Sequence, residues 1–301
     1  MEENAAPSSD FMSAVTEYYD FAELSMDLSE AVSMLILFVV VFLIARFVLE
    51  LLTPYKTSTE LTEKDNAALA VSYSGYFLGI TLIFIGAMLG PDEPLVENIT
   101  GVATYSLLGV VLLNLSRIIN DKLILHTFDN KKEIIEDQNI GTGAVQFGSY
   151  VASALIIAGS IHGEGGGIES AIAFFALGQV ALIVFTRIYN LMTPFNIHDE
   201  IEKDNVAAGV AFGGTLIALG IMLMNAASGD FVSWGFNLFV FAEKCLIAFI
   251  LLPIFRIVLD KLFISHADLN HEIAQDKNLG AGFLEMSNAV GFAVLIFFLI
   301  I

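Results

Sequence analysis

Eight stretches of this chain stay apolar long enough to cross a lipid bilayer, and that feature leaves few folds open. They lie at roughly 30–52, 66–90, 99–119, 140–160, 168–192, 205–226, 233–258 and 279–301, each near the ~20 residues a helix needs to cross a hydrocarbon core of ~30 Å. A segment in lipid must satisfy its own backbone groups, and a helix does so within one segment. The predicted fold class is therefore all-α integral membrane, with eight transmembrane helices. Charged residues make up 15% of the chain, against about 25% in a soluble domain.

Charge sets the expected orientation. Twelve of the thirteen Lys and Arg fall in, or at the ends of, the loops joining spans 1–2, 3–4, 5–6 and 7–8. The positive-inside rule places those four loops in the cytoplasm and both termini outside. Residues 1–29 then form an acidic extracytoplasmic tail, since 1–30 hold eight acids and no base. A signal peptide's basic start is missing there. Phe11, Val15 and Tyr18 share one face of a surface helix, if the tail is not simply solvated. The outer side carries fourteen acids and no base within a net charge of −20, a field that repels nucleic acid and gathers cations. Cys245 is the single cysteine, so no disulfide forms within the chain, and its place in the seventh span suits packing.

Shifted by 139 residues, the chain matches itself. "RIINDKL" (117–123) answers "RIVLDKL" (256–262), "NIGTG" (139–143) answers "NLGAG" (278–282), and "KDN" at 64–66 returns at 203–205. Each half, 30–160 and 168–301, divides again into two units. A unit is a span ending in Arg46, Arg117, Arg187 or Arg256, then a charged loop, then Asn66, Asn139, Asn205 or Asn278 opening the next span. Four helical hairpins of one orientation imply a parallel repeat with a pseudo-twofold axis along the membrane normal. Fifteen of the 24 glycines lie in the even spans and four in the odd ones. "GYFLG" (75–79), "GAMLG" (86–90) and "GVAFG" (209–213) let backbones approach, so the even helices are expected to form the inner bundle.

Hairpins with an acidic loop, then "KDNAA" or "NIGTG", then a Gly-rich span resemble the YjfL-like bacterial inner-membrane family, a domain of unknown function (350). The resemblance runs from about residue 30 to 301, but here four units stand where the family typically has two, as in a fusion of two members. It implies a multi-pass protein of the bacterial inner membrane and supplies no substrate or catalytic residue. It also implies an association with membrane-stress and polyamine-related genes.

The four asparagines are N-cap residues, each accepting from a free N–H of the first helical turn for ~1 kcal/mol. Capping alone does not select Asn over Ser, Thr or Asp. An acid stands six residues earlier each time, at Glu60, Glu133, Asp199 and Glu272, and Asp65 and Asp204 directly precede two of the caps. Two readings stand: a close-packed helix entrance tied by cap, acid and Arg, or a ring of ligands around a cytoplasmic vestibule. Arg46, Arg117 and Arg256 each precede an acid by four residues, a helix-surface pair worth ~0.3–0.5 kcal/mol.

Away from the charges that mark the span borders, Glu243, Lys244 and Glu285 are the exceptions to a neutral span interior. Nine residues from Trp234 put Glu243 ~14 Å deep, near the midplane, and Glu285 lies ~10 Å inside Asn278. Intramembrane ionisable groups are functional candidates by default. Lys244 is the expected partner of Glu285, leaving Glu243 uncompensated. The first-half equivalents Thr104, Tyr105 and Gln146 are neutral.

"HDEIE" (198–202) and "HADLNHE" (266–272) lack the ligand spacing of a metal site, and no phosphate-binding loop or nucleophile–base arrangement is visible. No cofactor and no catalysis are expected. Two functions are consistent with the sequence. One is transport or channel-like passage of a small cation such as a polyamine, and the other is a scaffold or envelope-stress protein docking a cytoplasmic partner. A hydrated cavity in the inner bundle would favour the first, and tight packing throughout the second.

Overall fold

The computed structural model describes residues 21–91, 93–263 and 268–299, and among these every regular element is a helix. Long, short and long helices alternate four times. The first unit is α1 (Phe21–Leu52), α2 (Thr57–Thr62) and α3 (Ala67–Met88), and the second is α4 (Leu95–Ile119), α5 (Asn130–Ile135) and α6 (Ile140–Ile161). The third is α7 (Ile168–Met192), α8 (Ile197–Glu202) and α9 (Val206–Ala227), and the fourth α10 (Trp234–Phe263), α11 (Leu269–Ala274) and α12 (Leu279–Leu299). A π-helical turn, Asn120–Ile124, extends α4. The eight long helices are each apolar and long enough to cross a membrane, where the sequence places them. α1 reaches back to Phe21, inside the segment read as tail. Phe11, Val15 and Tyr18 lie outside the described residues.

Each short helix occupies the loop between an odd and an even span, so all four lie at one end of the molecule. A residue in the left-handed region follows each short helix: Asp65 (φ 50°), Gln138 (52°), Asp204 (55°) and Lys277 (50°). That conformation costs a non-glycine residue ~1–2 kcal/mol, and it turns the chain so that the next residue, the asparagine, enters its helix as the cap.

The inner layer is a row in which α3 packs on α6, α6 on α9 and α9 on α12. Glycine sets the spacing. A Cβ on Gly143 would sit 2.5 Å from the Ala68 carbonyl oxygen, one on Gly75 2.5 Å from Phe147 Cα, and one on Gly220 2.5 Å from Ala152 Cα. At Gly148 and Gly209 it would fall onto the backbones of Gly213 and Gly141. Gly90, the second glycine of "GAMLG", meets only its own helix.

The outer helices fill the grooves of this row: α4 lies over α3 and α6, α7 over α6 and α9, and α10 over α9 and α12. The even helices are thus inner, as the glycines imply, but with one difference. The membrane-spanning window of α9 is 89% buried and that of α12 only 17%, because α12 ends the row and has an inner neighbour on one flank alone.

Candidate functional site

At the short-helix end, the asparagines do more than cap. Asn66, Asn139 and Asn205 each accept at Oδ1 from the N–H three residues on, those of Leu69 (2.9 Å), Thr142 (2.9 Å) and Ala208 (3.1 Å). Their Nδ2 groups reach into the following unit. Asn66 donates to the Ile134 carbonyl (2.8 Å), Asn139 to that of Ile201 (2.7 Å) and Asn205 to that of Ile273 (2.8 Å). All three side chains are buried. An Asp would supply the acceptor but no donor, and a Ser or Thr has a single oxygen for both roles, where Asn places acceptor and donor on two separate atoms. The choice of asparagine thus follows from a clasp joining each unit to the next. Asn278 ends the series: it is exposed, and its Nδ2 donates to Glu272 of its own unit (2.8 Å).

The acids support the clasps unevenly. Glu133 and Glu272 accept from the Nδ2 of Asn139 and Asn278 (2.8 Å each). Burial pushes the Glu133 carboxyl above its ordinary range despite that bond. Glu60 is instead held by Lys64 (2.7 Å), and its other oxygen has no partner among the described residues. In the third unit the expectation of Asp199 is corrected. The acid is Glu200, which accepts from Asn205 (3.2 Å), while Asp199 is exposed. The turn there is one residue shorter: the Asn205 N–H bonds five residues back, to Glu200, where Asn66, Asn139 and Asn278 bond six back.

The arginines do not tie the caps. Arg46 pairs with Glu50 on its own helix (3.1 Å), both largely exposed. Arg117 reaches Asn114 (3.4 Å) and lies among Tyr55, Tyr73 and Tyr150. Arg187 meets His126 (3.2 Å), whose ring stands edge-on to His198. His198 Nε2 lies 2.8 Å from the Ile124 carbonyl, so that nitrogen carries the proton. Burial lowers the affinity of this ring for a second proton.

Arg256 differs from the others. It forms a buried ion pair with Glu285 (2.7 Å) and donates to Asn270 of α11 (3.0 Å). Tyr189 of α7 donates its hydroxyl to the same Glu285 oxygen (2.8 Å), and the guanidinium lies 5.2 Å from the centre of the tyrosine ring. The pairing of Lys244 with Glu285 is thereby corrected. In an antiparallel hairpin turning at 270–271, residue 285 lies level with 256, and 244 with 297. Lys244 accordingly lines a gap with Asn225, Ile296 and Phe297 and donates to the Asn225 carbonyl (3.2 Å). Glu243 is exposed on the flank of α10 and lines no interior. In the first half, Gln146 accepts from Ser72 (2.6 Å), and Thr104 bonds within its own helix.

The cavity beside the ion pair, lined by Tyr189, Thr215, Arg256, Glu285 and Asn288, measures about 30 Å³, room for a water or two. At the opposite end of the molecule a vestibule of about 510 Å³ opens between loops, lined in part by Glu93, Tyr105, His162, Glu164 and Asn237. Among the described residues no three His, Cys, Asp or Glu side chains gather as a metal site requires.

Eight apolar helices, the inner four opened by asparagine caps and joined by three clasps at one end, define an all-helical, multi-pass membrane protein. The family model for DUF350, a domain of unknown function, matches residues 23–161 and again 165–300, and the chain belongs to that family. It is similar to a UPF0719 transmembrane protein of Aquifex aeolicus (strain VF5), 27% identical over 233 residues that cover 76% of this chain and 84% of that one. It also resembles the UPF0719 inner membrane protein YjfL of Escherichia coli (strain K12), 38% identical over 68 residues, 21% of this chain and 52% of the relative. That relative is therefore less than half as long as this chain. No solved structure matches.

Proposed function

We propose that the chain is a non-catalytic membrane scaffold that docks a protein partner through its short-helix loops, rather than a conduit for a small cation. The observation behind this is the contact of the inner row at backbone distance, where Gly143, Gly148, Gly209 and Gly282 leave no room even for a methyl group. A hydrated path between those helices has no width. The buried carboxylate that could have received a cation, Glu285, is already matched by Arg256, and a second cation beside that guanidinium is repelled. One observation favours passage instead: the acidic vestibule of about 510 Å³, a place where cations can gather. The Lys and Arg asymmetry supports short helices in the cytoplasm and termini outside, and the E. coli relative's name supports the inner membrane.

Reconstitution into liposomes tests this. The protein is expected to leave potassium, proton and polyamine permeability at the level of protein-free vesicles. A saturable flux lost in Glu93→Gln or Glu285→Gln contradicts the scaffold and restores the transport reading. Photocrosslinkers at the exposed loop positions Glu63 and Glu136 should trap one discrete partner that a crosslinker at Val96 does not reach.

A further inference from the structure

We propose that the vestibule between the loops opposite the short helices is a blind-ended binding site for a small organic ammonium ion. This goes beyond the scaffold reading and stands or falls separately from it, since binding here needs neither flux nor a partner at the short helices.

Two of its walls, the segments 162–167 and 228–233, are locked to each other. The Glu164 N–H donates to Asp230 (2.8 Å) and the Phe231 N–H to the Glu164 carbonyl (2.8 Å). Gly163 and Gly229 both take positive φ (112° and 109°), and a Cβ on Gly163 would fall onto the Gly229 carbonyl. Just inside Ala87 and Ser160, which line the space, the inner row closes. A Cβ on Gly86 would sit 2.6 Å from Ala158 Cβ, and one on Gly159 would fall onto the Met224 carbonyl oxygen. The volume of about 510 Å³ lies in the range of small-molecule sites, and a preformed wall spares a ligand the cost of ordering it.

Hydrogen-bond accounting sets its chemistry. The segments that form it, 86–105, 158–174 and 226–242, hold six acids and no Lys or Arg. Its side-chain donors are largely spent within the protein. Asn98 and Asn237 donate to Glu30 (2.8 Å) and the Asp230 carbonyl (3.0 Å). Ser160 and Ser170 donate to the carbonyls of Ile156 (2.7 Å) and Gly167 (2.8 Å). Acceptors are left over instead. Among the described residues nothing hydrogen-bonds or pairs with the carboxylates of Glu93 and Glu164, and His162 Nδ1, shielded from solvent, has no partner.

A ligand for such a site brings donors and positive charge. It is an organic cation rather than a metal ion, because among the described residues no three His, Cys, Asp or Glu side chains gather. Tyr105, Phe174 and Phe231 also line the space, and aromatic rings attract an ammonium carried on a carbon frame. That ammonium can belong to a free amine or to an ethanolamine headgroup, since both present the same N–H donors.

Trp234, the single tryptophan, stands 5.1 Å from the ring of Phe231 and reports occupancy. The probe is benzylammonium, with benzyl alcohol as its neutral match, added to the protein in phosphatidylglycerol nanodiscs. A saturable change in tryptophan fluorescence is expected with the amine and not with the alcohol. Glu93 and Glu164 are exposed, so Glu93→Gln with Glu164→Gln should fold normally and bind the amine roughly tenfold more weakly. Glu63→Gln, at the other end, should leave binding unchanged. Equal responses to amine and alcohol, displacement of the amine by equimolar magnesium, or full affinity in the double variant would each overturn the proposal. So would the absence of saturable amine binding in calorimetry. Nanodiscs containing phosphatidylethanolamine identify the source, and both results support an ammonium site: weaker amine binding there points to the lipid headgroup, and unchanged binding to a free amine.

Discussion

The buried ion pair is the residue-scale feature with the largest energetic consequence. Arg256 and Glu285 are 15% and 4% exposed, so removing one leaves the other charged and unmatched, at a cost of ~3–5 kcal/mol. Arg256→Met is expected to reduce abundance and melting temperature sharply, and Arg256→Met with Glu285→Gln to recover most of both. Lys244→Met should do little, since among the described residues Lys244 hydrogen-bonds only a carbonyl oxygen. Fluorescence-detected chromatography over a temperature ramp measures all three. A second expectation concerns pH. Burial depresses the His198 pKa, so the unfolded chain takes up the proton first. Its stabilising effect is complete above the ordinary pKa of about 6.5 and declines as pH falls from there toward the folded value. His198→Gln should lower stability at neutral pH yet flatten that acid-side decline in detergent melting curves. The Arg256–Glu285 pair was missed in the sequence, where Lys244 was the expected partner, because 256 stands opposite 285 only once the hairpin is known to turn at 270–271. Tyr189 was not legible either, because it reaches Glu285 from another unit, 96 residues away.

Among elements, glycine placement separates helices that touch from helices that merely neighbour. A methyl group on Gly148 would collide with the Gly213 backbone, whereas one on Gly101 meets nothing within 4 Å. Gly148→Ala is therefore expected to cost about 1–3 kcal/mol by overpacking. Gly101→Ala should be neutral or stabilising by up to ~1 kcal/mol through helix propensity. Thermal unfolding of the two variants side by side checks this, and equal losses would contradict the assignment of the inner row. Span positions and the inner role of the even helices were readable from apolar run length and glycine counts, because lipid imposes both. The open end at α12 was not, since a row and a closed bundle ask for the same small residues. Nor was the acid of the third unit, where a turn shorter by one residue moved the role from Asp199 to Glu200.

On the scale of the whole molecule, four units are held in series by a side chain whose sequence signature looks like an ordinary helix cap. The partner of each clasp is a main-chain carbonyl, which carries no side-chain signal, so the sequence posed the question of four asparagines without containing the answer. Exchanging each asparagine for aspartate separates the two roles, since the carboxylate keeps the capping acceptor and loses the donor. Melting of the four variants, each as a detergent-solubilised monomer, is the most direct measurement. Asn66→Asp, Asn139→Asp and Asn205→Asp are expected to lose about 1–3 kcal/mol or more, each leaving a buried carbonyl unpaired. Asn278→Asp, exposed and without a following unit, should stay within about 0.5 kcal/mol of the parent. Four equal changes, or none at the first three positions, would mean that the asparagines only cap and that the units are not clasped in series.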